Sequence, residues 1–119
     1  MHVLIIEDEW FIVDAVEHAL RQIGFDSFED ANSVLDATAA AERCCPDLIV
    51  ANHNLIDGTG TDAVLAICSG QALPVVFVTA SGADVAARLP EAIIVSKPFL
   101  PLSLHIAVER AQEVPFACS

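Results

Sequence analysis

The chain has 119 residues, of which 55% are apolar, and 17 Asp and Glu against five Lys and Arg give it a formal charge of −12. That length fits one domain, residues 1–119, with a sizeable core, and the apolar content excludes a disordered chain. The charge disfavours direct contact with nucleic acid or anionic lipid and points to basic partners or cations; no apolar run approaches a membrane span.

Strand-like and helix-like segments alternate along the chain, the pattern of a parallel sheet covered on both faces. His2 to Ile6 is a β-branched run. Phe11, Ile12, Ala15, Val16, Ala19, Leu20 and Ile23 then recur at helical spacing, and Gly24 supplies a stop. Phe25 to Phe28 predicts a brief second strand, and Ser33 caps a helix carrying Val34, Leu35, Ala37 and Ala41 before Pro46. Leu48 to Ala51 is the most buried strand, and Thr61 or Asp62 caps a short helix through Ile67, with Gly70 near its end. "LPVVFVTAS" and "EAIIVS" are the fourth and fifth strands. Between them "GADVAARLPEA" has room for about two helical turns before Pro90. A last helix begins near Pro101, runs through Leu104, Ala107, Val108 and Ala111, and ends before Pro115. The expected architecture is α/β, a doubly wound five-stranded parallel sheet with helices on both faces.

The four cysteines, Cys44, Cys45, Cys68 and Cys118, show no metal-ligand or redox spacing and are read as reduced thiols. Structured sequence begins by Val3, which leaves no room for a leader, so a cytoplasmic location is expected.

Right-handed crossovers bring the carboxyl ends of all the strands to one edge of the sheet. Glu7 and Asp8, Asn52, Thr79 and Lys97 fall at those ends. Adjacent carboxylates, with a backbone carbonyl near Asn54, suit a hard divalent cation such as Mg²⁺. Thr79 can donate to an anionic oxygen, and Lys97 supplies positive charge opposite the metal. Such a set would hold a phosphoryl group between two cationic poles.

The motifs "VLIIEDE", "PDLIVANHNLIDGTG", "VVFVTAS" and "VSKPF" resemble, in order and spacing, the receiver domain of two-component response regulators over nearly the whole chain. The resemblance implies a flavodoxin-like fold and a phosphorelay module, a phosphoprotein rather than an enzyme. It would take a phosphoryl group from a histidine kinase or phosphotransfer protein and signal to a downstream protein partner as a monomer or weak homodimer. It implies that Asp8 ligates the metal directly and Glu7 indirectly. Thr79 and Lys97 would contact the phosphoryl group, and the Lys97–Pro98 bond would be cis.

The chain departs from that pattern in three places. Asn52 stands where the family has its phosphoacceptor Asp, and an amide is a poor nucleophile that lends no charge to a metal. Phosphorylation is then not expected, Mg²⁺ binding is weak or absent, and Lys97 is free to pair with Asp8. Ile94 replaces the usual aromatic three residues before the lysine, the fourth-helix segment is short, and Ile56 stands where Pro is common. The amide has three possible origins: an introduced Asp→Asn change, a native residue in a degenerate receiver, or a side chain later deamidated.

Other residues have ordinary readings. Strand alternation turns His53 away from Asn52; Trp10 is expected to be partly buried at a helix start; Asp57-Gly58 is turn chemistry. Two further functions compete with the receiver reading. One is a phosphorylation-independent adaptor. The other is a remnant of a haloacid-dehalogenase-like phosphatase, whose apolar strand and DxD "LIVANHN" mimics with Asn at both acid positions. A flavodoxin-like redox protein fits less well, because an acidic loop stands where phosphate would bind.

Overall fold

The computed structural model describes residues 1–117. Five parallel strands form the sheet: β1 (His2–Ile6), β2 (Ser27–Ala31), β3 (Leu48–Ala51), β4 (Val75–Thr79) and β5 (Ile93–Ser96), in the order β2-β1-β3-β4-β5. The helices are α1 (Trp10–Arg21), α2 (Val34–Arg43), α3 (Gly60–Ile67), α4 (Gly82–Arg88) and α5 (Pro101–Glu113). This is the expected doubly wound architecture.

Two-residue alternation along the central strands divides the core. Val3, Ile5, Leu48, Val50, Val76 and Val78 face one cluster, closed by Val16 and Leu20 of α1 and Leu104 and Val108 of α5. Leu4, Ile6, Ile49, Ala51, Val75 and Phe77 face the other, closed by Ala37 of α2, Val64 of α3 and Val85 of α4. Strands buried on both faces read as continuous apolar runs, which is why β1, β3 and β4 were legible.

Several boundaries differ from the sequence reading. The second strand is Ser27–Ala31 rather than Phe25–Phe28, because Phe25 is a buried turn residue whose N–H donates to the Leu20 carbonyl at 3.2 Å. The cap of α3 is Thr59, which accepts from the Asp62 N–H at 3.1 Å, not Thr61 or Asp62. Thr61 is instead fully buried. Leu35 and Phe11 lie on exposed helix faces, and Trp10 is 79% exposed rather than partly buried. Ser33 does cap α2, Gly24 has φ +103° after α1, and Pro101 opens α5. Among the described residues, two short antiparallel ladders join Asn54–Leu55 to Gly58–Thr59 and Ala72–Leu73 to Phe116–Ala117. Cys44 and Cys45 are exposed, and Cys68 is buried in the second cluster; Cys118 lies outside the described residues.

The segment after β3 is fastened from several sides. Asp57 does more than turn the chain: its carboxylate accepts from the Val34 and Leu35 N–H groups at 2.7 and 3.3 Å, at the start of α2. Gly60 donates its N–H to the His53 carbonyl at 2.7 Å, and a Cβ on it would lie 1.7 Å from the Asn52 carbonyl oxygen. No side chain fits there without moving backbone. Gly60→Ala is therefore expected to destabilise the fold by about 2 kcal/mol or more, the scale of overpacking. Thermal unfolding checks this, and an unchanged midpoint would contradict it.

Candidate functional site

Ladder hydrogen bonds run one residue past three strands and fix the backbone of the site. Glu7 N–H donates to the Ala31 carbonyl (2.9 Å), Asn52 N–H to Ile6 (2.8 Å), and Lys97 N–H to Thr79 (3.1 Å). Glu7, Asn52, Thr79 and Lys97 thus meet at the carboxyl edge of the sheet, where ligands of open α/β sheets bind. The Lys97–Pro98 peptide is cis, as expected.

Glu7 is the hub. It is 4% exposed, in a ring of apolar side chains that includes Ile12, Val16, Val50 and Val78. A buried carboxylate needs partners for its lone pairs, and the surrounding groups supply them. Lys97 Nζ lies 2.8 Å from Oε2. Asn52 Nδ2 donates to Oε1 at 3.2 Å, as do the Asp8 and Glu9 N–H groups at the same distance. Burial raises the Glu7 pKa above its usual 4.5, while the hydrogen bond and charge of Lys97 pull it back.

Asn52, 5% exposed, divides its amide between two acceptors: Nδ2 also donates to the Asn54 carbonyl at 3.1 Å. Both neighbours are acceptors only, so the NH₂ end must face them. The Asn54 side chain reaches Ser81 Oγ (2.9 Å). Thr79 is fully buried, and its hydroxyl accepts from the Ser81 N–H at 3.0 Å.

The lysine's partner differs from the one expected. Lys97 pairs with Glu7 and with Glu9 at 3.1 Å, and Asp8 is left exposed at the rim. Glu9 is the residue that motif reading missed; the third acid of "EDE" was its only signal. One carboxylate oxygen from each of Glu7, Asp8 and Glu9 lies within 4.8 Å of the other two. Mg²⁺ needs several free oxygens at once. Here the ammonium and the amide already hold Glu7 and the amide donates to the Asn54 carbonyl, so two of the oxygens an ion would use are engaged while Asp8 stays open. His53 is buried, and its Nδ1 has no partner among the described residues.

A doubly wound sheet with acids after β1, a polar side chain after β3, a hydroxyl closing β4 and a lysine–cis-proline after β5 defines a receiver-type α/β signalling domain. The chain belongs to the response regulator receiver domain family, whose model matches residues 3–109. It is similar to the transcriptional regulatory protein PdtaR of Mycobacterium tuberculosis, 32% identical in an alignment 120 positions long that covers 94% of this chain and 58% of that protein. It is also similar to YvrH of Bacillus subtilis, at 30% identity over 86% of this chain and 45% of that protein. The chain thus spans about half the length of these curated relatives. Among solved structures, the PhyR receiver domain of Erythrobacter litoralis superposes with a TM-score of 0.82 at 30% identity, over 99% of this chain and 94% of that one. PhyR of Brucella abortus gives 0.80 at 31% identity, over 93% of this chain and 46% of that one. Domains of this family are in general signalling modules rather than enzymes. No helix among the described residues is long and apolar enough to cross a membrane.

The raised Glu7 pKa sets a pH dependence. The native state holds the Glu7 proton more tightly than the unfolded chain, so this residue's contribution is fully present below the unfolded value. It is lost as pH rises through the folded one. Glu7→Gln, neutral at every pH, removes that loss. From about pH 4 to pH 7, its stability relative to the parent is expected to rise. Urea unfolding across that range tests this; a relative fall would mean that the pairing with Lys97 outweighs burial.

Proposed function

We propose that this chain is a signal-receiving module that acts through protein contact and, with Asn52 in place, works without taking a phosphoryl group. The observation that carries the reading is the double hydrogen bond from Asn52 Nδ2 to Glu7 and the Asn54 carbonyl. The amide is a weak nucleophile, and its NH₂ end is turned to the very oxygens a metal would use. The proposal holds whether the amide is native or stands in place of an aspartate.

With Asp at position 52, the same scaffold suits phosphoryl transfer from a histidine kinase or phosphotransfer protein. Thr79 and Lys97 would then contact the phosphoryl oxygens. Asp8, Glu7 and the Asn54 carbonyl would hold Mg²⁺, whose charge would offset the incoming group. In the Asn52 form the downstream partner must recognise the surface itself. Four of the five cationic side chains, Arg21, Arg43, Arg88 and Lys97, are engaged in ion pairs within the chain, and the net charge of −12 suits a basic partner surface. A cytoplasmic setting and a monomeric or weakly dimeric state belong to this reading. Among relatives, PdtaR and YvrH are described as transcriptional regulatory proteins and PhyR of Bartonella quintana as an anti-anti-sigma factor. Those descriptions favour a role in regulating transcription through partner proteins. No observation favours the phosphatase alternative.

Incubation with acetyl phosphate and Mg²⁺, read by intact mass, tests the proposal. The chain is expected to gain nothing, while Asn52→Asp gains one phosphoryl group that is lost in base. Stoichiometric modification of the Asn52 form would overturn it.

A further inference from the structure

Helix α4 is short, and only Val85 of its residues is buried. A helix of this length has little intrinsic stability, so its position depends on what holds its ends. Arg88, its last residue, reaches across to the start of α3. Nη1 lies 2.8 Å from Thr61 Oγ1, 3.3 Å from Thr59 Oγ1 and 2.9 Å from Asp62 Oδ1. At the other end, Ser81, the α4 cap position, receives Asn54 Nδ2 on its hydroxyl and donates its N–H to Thr79.

Both anchors lead to one loop. Thr59 and Thr61 flank Gly60, and their hydroxyls are 2.8 Å apart. Gly60 is bonded to the His53 carbonyl and packed so tightly on the Asn52 carbonyl that even a methyl group is excluded. An unbroken series of contacts therefore runs from the Arg88 guanidinium through Thr59, Gly60 and Thr61 to the peptide that carries Asn52. All three contacts are made by Nη1, whose two N–H groups are shared among two hydroxyls and a carboxylate, so this single nitrogen gathers all three residues.

We propose that Arg88 is a positioning residue that clasps α4 to the Asn52 loop, so that a change at position 52 is passed to α4 through this side chain. The use of α4 as a surface presented to a partner rests on the contact-signalling reading above; the mechanical coupling does not. Spatial intermediacy alone does not establish coupling, so the test is a double-mutant cycle.

Amide hydrogen exchange is measured on the full chain, on Asn52→Asp, on Arg88→Ala and on the double variant, with neither metal nor phosphodonor. Asn52→Asp is expected to change exchange across residues 82–89 by about fivefold or more, and Arg88→Ala to reduce that effect to less than about twofold. Amides of β1 and β3 should stay protected throughout. If they lose protection in Arg88→Ala, Arg88→Lys is read in its place, which retains a charge for Asp62 on a shorter side chain without the guanidinium. The proposal is overturned if Asn52→Asp leaves α4 unchanged, or if its effect persists undiminished without the guanidinium. Because no phosphoryl group enters, these outcomes are independent of the acetyl phosphate result.

Discussion

A carboxylate buried at the edge of a parallel sheet constrains everything around it. Glu7 follows the interior strand β1, where the ladder to β2 fixes its backbone and apolar side chains exclude water. A lone ion there would cost several kcal/mol, so its partners must be in place before the fold is stable. Lys97 is placed to pair by the end of β5, Asn52 by β3, and the two N–H donors by the turn into α1. The convergence of these strand ends is thus a requirement of folding as much as of signalling.

The Asn52 amide gives the cluster a different character from the one an acid at that position would give it. In a receiver with three acids at this edge, mutual repulsion favours a bound cation. Here one acid position offers two N–H donors instead, and they face the oxygens of Glu7 and Asn54. The lysine's charge is shared between Glu7 and Glu9. The result is a cluster whose needs are met by the protein itself. Around it, the loop after β3 is tied to α2 by Asp57, to the β4–α4 turn by Asn54 and to α4 by Arg88. A segment bonded to three neighbouring elements can change state only if those elements accommodate it.

The sheet and the members of the site were legible because they rest on local pattern. Apolar runs at β1, β3 and β4 and the polar residue that ends each of them need no tertiary information to be recognised. The second strand was misplaced because it is an edge strand with a mixed polar pattern, whereas Phe25 is apolar for a different reason, to plug the turn beneath α1. The partner of Lys97 was misread because the choice among Asp8, Glu7 and Glu9 depends on the direction in which the chain leaves β1, and composition is silent on that. Trp10 was expected to be partly buried on account of its type, yet hydrophobic side chains often remain outside. The Arg88 clasp and the ladder joining Ala72–Leu73 to Phe116–Ala117 bridge residues far apart in the chain and leave no periodic trace.

The central claim is that the amide and the lysine together take the place of a metal ion at this site. Calorimetric unfolding of the chain and of Asn52→Asp, each with and without Mg²⁺, addresses it directly. Without metal, the Asp form should be less stable by about 1–3 kcal/mol, since two hydrogen bonds are lost and two carboxylates are brought together. Mg²⁺ should restore the Asp form and leave the Asn52 chain unmoved. Equal stabilisation of both proteins by Mg²⁺ would contradict the account.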